Sequence, residues 1–328
     1  MRALITGITG FVGSHLAEYL LENTDWDIVG MCRWRSPLDN IQSLIPEINK
    51  GGRVRLVYAD LRDGIAVREA VEQASPTHVF HLAAQSYPKT SFASPLDTLD
   101  TNVQGTVRLL DAFRKSDAEI HVCSSSEVYG RAKTIPIAED APFHPASPYA
   151  VSKVGADLMA RHYAEAYGMR VQVTRMFTHT SARRGDVFAE SSFAKQIAMI
   201  EAGMIPPVVK VGNLKSLRTV ADVRDAVRAY HMLLTVNPIP GEVYNIGGSH
   251  TCTVGDILNT LLSMSTAKIG IEVDPERLRP VDADLQVPDC TKFKTHTGWE
   301  PEIPFEKTMI DLMNYWRDQV KRGSPLQR

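Results

Sequence analysis

Residues 3–13 read Ala3-Leu4-Ile5-Thr6-Gly7-Ile8-Thr9-Gly10-Phe11-Val12-Gly13, and Leu16, Leu20 and Leu21 follow at helical spacing. A short apolar run, a turn carrying three glycines and an apolar helical period, in that order, predict a strand, a tight turn and a helix that starts at the turn. Glycine at 7, 10 and 13 lets the backbone come close to a pyrophosphate, whose charge then sits at the helix N-terminus. A turn that only packs helix on strand accounts for the glycines equally well, so the triplet gains meaning from the elements after it.

After this helix, Asp27-Ile28-Val29-Gly30-Met31 reads as a second strand and ends in Cys32-Arg33-Trp34-Arg35-Ser36. A carboxylate at this place suits the 2'-hydroxyl of an adenosine ribose, whereas guanidinium groups suit a 2'-phosphate. Arg33, ahead of Arg35, therefore predicts NADP in preference to NAD. A third strand is expected over 54–61, then a helix over 66–74 and a fourth strand from His78 into Leu82-Ala83-Ala84-Gln85-Ser86. The small Ala83 and Ala84 allow a cofactor close to the backbone, and His81, inside an apolar strand, reads as a satisfied core residue. Helical period continues through Leu99, Val103, Val107 and Leu110.

His121-Val122-Cys123 is strand-like and runs into Ser124-Ser125-Ser126-Glu127-Val128-Tyr129-Gly130. Hydroxyls and a carboxylate then stand at the carboxyl end of a strand, where open parallel sheets bind ligands. Ser147 as N-cap and Pro148 in the first turn start a helix over 148–166, on which Tyr149 and Lys153 share a face. A free phenol ionises near pH ~10, and a lysine cation beside it favours the phenolate, a general base able to take a proton from a sugar hydroxyl. A strand over 170–175 completes an alternation that predicts an α/β fold, a Rossmann-type doubly wound parallel sheet. From residue 177 prolines and short elements dominate, which predicts a smaller interleaved C-terminal substrate domain over 177–328, after a cofactor domain over 1–176 with a return segment near 219–250.

With 328 residues, 44% of them hydrophobic, the chain is long enough for a proper core. Its formal charge of -2 gives no electrostatic reason to expect nucleic acid or an anionic membrane as partner. The apolar runs fall short of a bilayer span, and since Met1 leads straight into a predicted core strand, no presequence is expected. Cys32, Cys123, Cys252 and Cys290 lack metal-ligand spacing, so reduced thiols, no metal and a cytoplasmic location are expected.

The phosphate loop from Gly7, the Ser-Ser-Glu ending at Glu127 and the Tyr149-x-x-x-Lys153 pair, in that order, resemble the extended short-chain dehydrogenase/reductase superfamily of nucleotide-sugar enzymes, and Gly7-x-x-Gly10-x-x-Gly13 has its spacing. Leu82-Ala83-Ala84-Gln85-Ser86 with Ser91-Phe92, Phe177-Thr178-His179, Arg183-Arg184-Gly185, Val211-Gly212-Asn213-Leu214 with Arg218, Leu278-Arg279-Pro280-Val281-Asp282 and Thr297-Gly298-Trp299-Glu300-Pro301 look like the GDP-mannose 4,6-dehydratase family and its close relative, GDP-4-keto-6-deoxymannose reductase. The resemblance implies Ser125, Ser126, Glu127, Tyr149 and Lys153 as catalytic residues. It implies cofactor contacts at Gly7, Thr9, Gly10, Phe11, Val12, Gly13, Arg33, Asp60, Leu61, Leu82, Ala83, Ala84, Tyr149, Lys153 and His179. Contacts to a GDP-sugar are implied at Ser86, Thr178, Asn213, Arg218, Arg279 and Asp282.

The resemblance also implies that Asn102 lies beneath the active site and that the helices at 98–115 and 148–166 pair into the interface of a homodimer or homotetramer. The family pattern has Asn at 178, usually Thr at 125, and Asp at 219. Asp222-Val223-Arg224-Asp225 and Phe193-Ala194-Lys195-Gln196-Ile197 lean toward the reductase. Glu127 leans toward the dehydratase, since a reductase or 4-epimerase has no use for a base at C5. A non-catalytic NADP sensor on the same fold is the alternative of another class.

Overall fold

The computed structural model describes residues 1–278, 281 and 283–323. From the N-terminus, β1 (Arg2–Thr6), α1 (Phe11–Asn23), β2 (Asp27–Cys32), α2 (Ile45–Asn49), β3 (Val54–Tyr58), α3 (Gly64–Ala74) and β4 (His78–His81) alternate strand and helix. Two short helices, α4 (Pro88–Ala93) and α5 (Pro95–Leu99), lead through a wide π-type turn at Asp100–Gln104 into α6 (Gly105–Ala112). In that turn the Gly105 amide reaches back five residues to the Asp100 carbonyl, so the helical period read from Leu99 to Leu110 is one residue slack here. Then come β5 (Glu119–Cys123), α7 (Pro148–Tyr167) and β6 (Val171–Met176). Ser147 caps α7 as expected, its Oγ accepting the Ala150 amide at 3.0 Å.

The second half supplies β7 (His179–Thr180), α8 (Ala189–Glu201), β8 (Val208–Val211), β9 (Leu217–Asp222), α9 (Val223–Thr235), β10 (Val243–Ile246), β11 (His250–Thr253), α10 (Val254–Ser263), β12 (Gly270–Val273), β13 (Leu285–Gln286), α11 (Thr291–Thr297) and α12 (Phe305–Lys321). The main sheet is parallel throughout, in the order β3-β2-β1-β4-β5-β6-β10. Its apolar strands are covered on both faces, as an all-parallel sheet requires. On one face α1 and α9 share a core through Leu16, Leu20, Val227 and Tyr230; on the other α3, α6 and α7 close over Val67, Leu109 and Tyr163. Strand order reverses between β1 and β4, which places the ligand crevice of such a sheet above those two strand ends.

A separate core joins α8, α10 and α12 to β8 and β9 through Phe193, Ile197, Val209, Leu258, Met309 and Trp316. There β9 pairs with β11 antiparallel and with β7 and β13 in parallel. Between the two halves, Arg175 of β6 is almost fully buried. It pairs with Asp157 of α7 (Nε to Oδ2, 2.8 Å) and donates to the Tyr129 hydroxyl at 2.9 Å and the Glu139 carbonyl at 2.7 Å. Tyr129 in turn donates to Asn245 of β10 at 2.8 Å. The long loop between β5 and α7 is thereby fastened to two strands right after Glu127. Among the described residues no helix is long and apolar enough to cross a membrane.

Candidate functional site

Gly7 ends β1 in the left-handed region (φ +74°), and a Cβ there would stand 3.0 Å from the Cα of Ala83. At Gly13 a Cβ would meet the Gly7 carbonyl oxygen at 2.3 Å, so both positions need glycine for the turn to lie flat on β4. Gly10 precedes α1 without a side-chain cap, and Phe11 and Val12 open the helix, so the first-turn amides face the cradle that a pyrophosphate fits. Thr9 holds Asn40 through its carbonyl at 3.0 Å. Across the turn Leu82, Ala83 and Ala84 are half-buried, and the amides of the first two donate to Thr6 Oγ1 at 3.1 Å each.

At the ends of β2 and β3, Arg33 and Arg35 are exposed, on a turn closed by the Ser36 amide on the Arg33 carbonyl (2.9 Å). Asp60 is held by Arg62 at 2.8 Å, which with the nearby charge of Arg33 draws its carboxyl below the usual range. Leu61 is buried beside it. Arg33 and the Asp60-Leu61 pair, apart in sequence, thus share one corner at the ends of the two strands.

The residues expected to be catalytic converge at the end of β5. Ser125 caps a short 3-10 turn, Ser126–Val128, by accepting the Glu127 amide at 3.2 Å, and it also hydrogen-bonds the Tyr149 phenol. Ser125 and Ser126 are buried and Glu127 is half-buried, close enough for its charge to act on Tyr149. Ser91, which no expectation singled out as a contact, accepts the Tyr149 amide at 3.0 Å. Lys153 corrects the sequence reading: its ammonium donates to the Cys123 carbonyl at 2.7 Å. Burial raises the Tyr149 phenol above its ordinary pKa, against the lowering expected from Lys153. Desolvation penalises a phenolate more than the partners in place stabilise it.

Beyond β6 the segment 177–186 crosses the top of the site. His179 donates through Nδ1 to the Phe177 carbonyl at 3.0 Å, which leaves Nε2 as a buried acceptor without a partner; its ring stacks on Phe11 with centroids 5.8 Å apart. Burial and the cation of Arg184 push its pKa down to about 3. An orphaned buried acceptor above the glycine cradle fits a ligand that carries a donor, such as a ribose hydroxyl or an amide.

The two arginines that follow have separate tasks. Arg183, in the left-handed region at φ +70°, turns back to Glu18 and His15 of α1 and to the Asn40 carbonyl (2.8 Å). A left-handed non-glycine residue costs roughly 1 kcal/mol, which these bonds offset. Arg184 points the other way. Its guanidinium lies 3.4 Å from the Phe188 ring centroid and 3.4 Å from Glu190, and its charge reaches Tyr149. The sequence alone assigns neither arginine a role; an Arg-Arg-Gly before a helix is the available signal.

Of the residues expected to face a sugar nucleotide, Ser86 is exposed beside the crevice, and Thr178 is half-buried with its carbonyl accepting the Ala221 amide at 2.9 Å. Asn213 bonds to Ser216 at 3.0 Å and Asp284 at 3.2 Å, shaping the loop into β9. Arg218 donates to the Leu217 carbonyl at 2.9 Å. Arg279 and Asp282 lie outside the described residues. Among the described residues no group of three or more His, Cys, Asp or Glu stands so as to hold a metal ion.

The family described as GDP-mannose 4,6 dehydratase matches residues 4–312. The chain is 32% identical over 338 residues to the GDP-mannose 4,6 dehydratase of Drosophila melanogaster, covering 95% of this chain and 85% of that one. Among solved structures it is similar to RMD from Pseudomonas aeruginosa, complexed with NADPH (28% identity, TM-score 0.82, 97% of this chain and 99% of that one). It is also similar to dTDP-glucose 4,6-dehydratase from Bacillus anthracis, in complex with NAD (25% identity, TM-score 0.83, 98% of both chains).

Proposed function

The chain belongs to the GDP-mannose 4,6-dehydratase family, and from that membership and the site we propose that it converts GDP-mannose to GDP-4-keto-6-deoxymannose with loss of one water. The observation that carries the reading is the meeting of Tyr149, Ser125 and Glu127 at one strand end. A carboxylate beside the phenol serves a reaction that removes a proton from C5, and a 4-keto reductase has no such step.

A nicotinamide cofactor, when bound, would supply hydride acceptance and return between C4 and C6, which makes the overall reaction redox-neutral. Gly7, Thr9, Gly10, Phe11, Val12 and Gly13 would hold its pyrophosphate, Leu82, Ala83, Ala84 and His179 would line its path, and Asp60 and Leu61 would lie beside its adenine. Arg33 supports NADP, because it puts a guanidinium at the end of β2, where a residue facing the ribose 2'-substituent is expected. Tyr149 takes the proton of the C4 hydroxyl, steadied by Ser125, with Lys153 as the adjacent cation. Glu127 removes the C5 proton made acidic by the 4-ketone, and Ser126 attends the departing C6 hydroxyl. Thr178, Ser86, Asn213, Arg218, Arg279 and Asp282 serve the GDP-sugar, whose domain is the part of the interleaved C-terminal portion outside the return segment near 219–250.

Exposed Val151 and Leu158 on α7 support a homodimer or homotetramer built on the helices at 98–115 and 148–166, and a monomer by light scattering overturns that part. The deciding experiment for function is incubation with GDP-mannose alone, followed by mass analysis. A 4-keto product lighter by one water supports the dehydratase. Untouched GDP-mannose together with NADPH-dependent reduction of the 4-keto sugar transfers the reading to the reductase, and bound nicotinamide with no turnover of either transfers it to a sensor.

A further inference from the structure

Beneath the glycine turn and the catalytic helix, buried side chains form a continuous hydrogen-bond chain from β1 to α7. Thr6 Oγ1 accepts the Leu82 and Ala83 amides, so its own proton goes to Nδ1 of His81, 2.9 Å away. With Nδ1 accepting, the ring carries its hydrogen on Nε2 and donates it to Thr106 Oγ1 at 3.0 Å. Thr106 donates to the Asn102 carbonyl at 2.6 Å, within the wide turn before α6. The Asn102 side chain binds both backbone groups of Gln85, at 2.8 and 3.0 Å, and donates to Ser152 Oγ at 2.8 Å; Ser152 donates to the Tyr149 carbonyl at 2.7 Å.

Thr6, His81, Thr106, Asn102 and Ser152 are each at most 4% exposed, so no water competes for these bonds. From Thr6 through His81 to Thr106 each direction follows from the one before it, and that sequence of donors holds only for a neutral ring. Burial keeps it neutral, with a pKa near 3.

We propose that His81 is a positioning residue for both halves of the active site. Through Thr6 it fixes where the Leu82–Ala83 backbone stands over the glycine turn, and through Thr106 and Asn102 it fixes where α7 carries Tyr149. The inference rests on the cofactor-binding part of the function proposed above. A histidine that merely fills the core needs its volume, whereas a positioning histidine needs an acceptor on one side of the ring and a donor on the other. Phenylalanine separates the two, because it keeps the ring and removes both polar ends.

The test compares wild type with His81→Phe and with Thr106→Val, the milder variant that breaks the same chain should the first fail to fold. The NADP dissociation constant is measured by calorimetry without any sugar nucleotide, alongside Tm and kcat at saturating cofactor. Positioning predicts that each single variant binds NADP about tenfold more weakly and turns over more slowly, and that the double variant is no worse than the worse single, since the chain is broken once. A lowered Tm with wild-type dissociation constant and kcat, or fully additive losses, overturns the proposal. If wild type binds NADP but leaves GDP-mannose untouched, the dehydratase reading fails while the binding comparison still decides the role of His81.

Discussion

Lys153 aims its ammonium at the Cys123 carbonyl, 2.7 Å away, while the phenol of Tyr149, one turn earlier on the same helix, is held by Ser125. In this arrangement burial raises the phenol and lowers the ammonium, so desolvation disfavours the charged form of each.

The ligand-free protein should therefore show no tyrosinate from Tyr149 up to pH ~10, the ordinary value for a phenol. The check is the difference in ultraviolet titration between wild type and Tyr149→Phe. An extra tyrosinate appearing in wild type near neutrality would contradict the geometry. The same variant should lose about 10²–10⁴ in kcat if the phenol is the acid–base group.

Glu127→Gln keeps size and hydrogen bonding and removes the carboxylate. The variant should still pass hydride from C4 to the cofactor and then stall before water is lost, so NADPH accumulates once per site. In heavy water the wild-type product should carry deuterium at C5 and the variant should produce none. Dehydration at the normal rate by the variant excludes Glu127 as the base.

Arg33→Ala removes the guanidinium at the end of β2. A charge-assisted bond of this kind contributes about 1.5–3 kcal/mol, so NADP should bind roughly 10- to 150-fold more weakly while NAD binding changes little. Equal losses for the two cofactors would assign Arg33 a general structural role.

Buried histidines make the fold sensitive to acid. Burial lowers His15 to about 4 and His81, His121 and His179 to about 3, against 6.5 for the free group. The unfolded chain binds protons first as pH falls, so this stability is complete above pH ~6.5 and declines as pH drops toward 4 and 3. At pH ~5 each neutral ring costs about 2 kcal/mol of stability. Urea midpoints measured at pH 7.5 and pH 5 should show a large fall, and a flat profile would mean that these rings protonate freely in the folded state.

Much of the molecule is legible in local spacing. The apolar run, the glycines at 7, 10 and 13 and the helical leucines specify β1, its turn and α1, because steric limits on φ and the 3.6-residue period act within a few residues. Ser147, Pro148, Tyr149 and Lys153 likewise specify a capped helix with two side chains on one face. The family motifs led to the expectation that Ser125, Glu127 and Tyr149 stand together, and these three side chains do meet at the end of β5.

Spacing sets which face a side chain takes, and only the tertiary structure decides what it meets on that face. Lys153 finds the Cys123 carbonyl because β5 lies beside α7, and Tyr149 is raised because neighbours distant in sequence exclude water from it. Arg183 and Arg184, adjacent in the chain, part toward α1 and toward Tyr149 because the backbone turns left-handed at Arg183. His81 was readable as a buried ring, but its partners Thr6 and Thr106 lie 75 and 25 residues away, and the sense of its hydrogen bonds depends on both. Periodicity and sterics are short-range and survive in the sequence; desolvation and hydrogen-bond partnership are set by packing and arise only when the sheet closes.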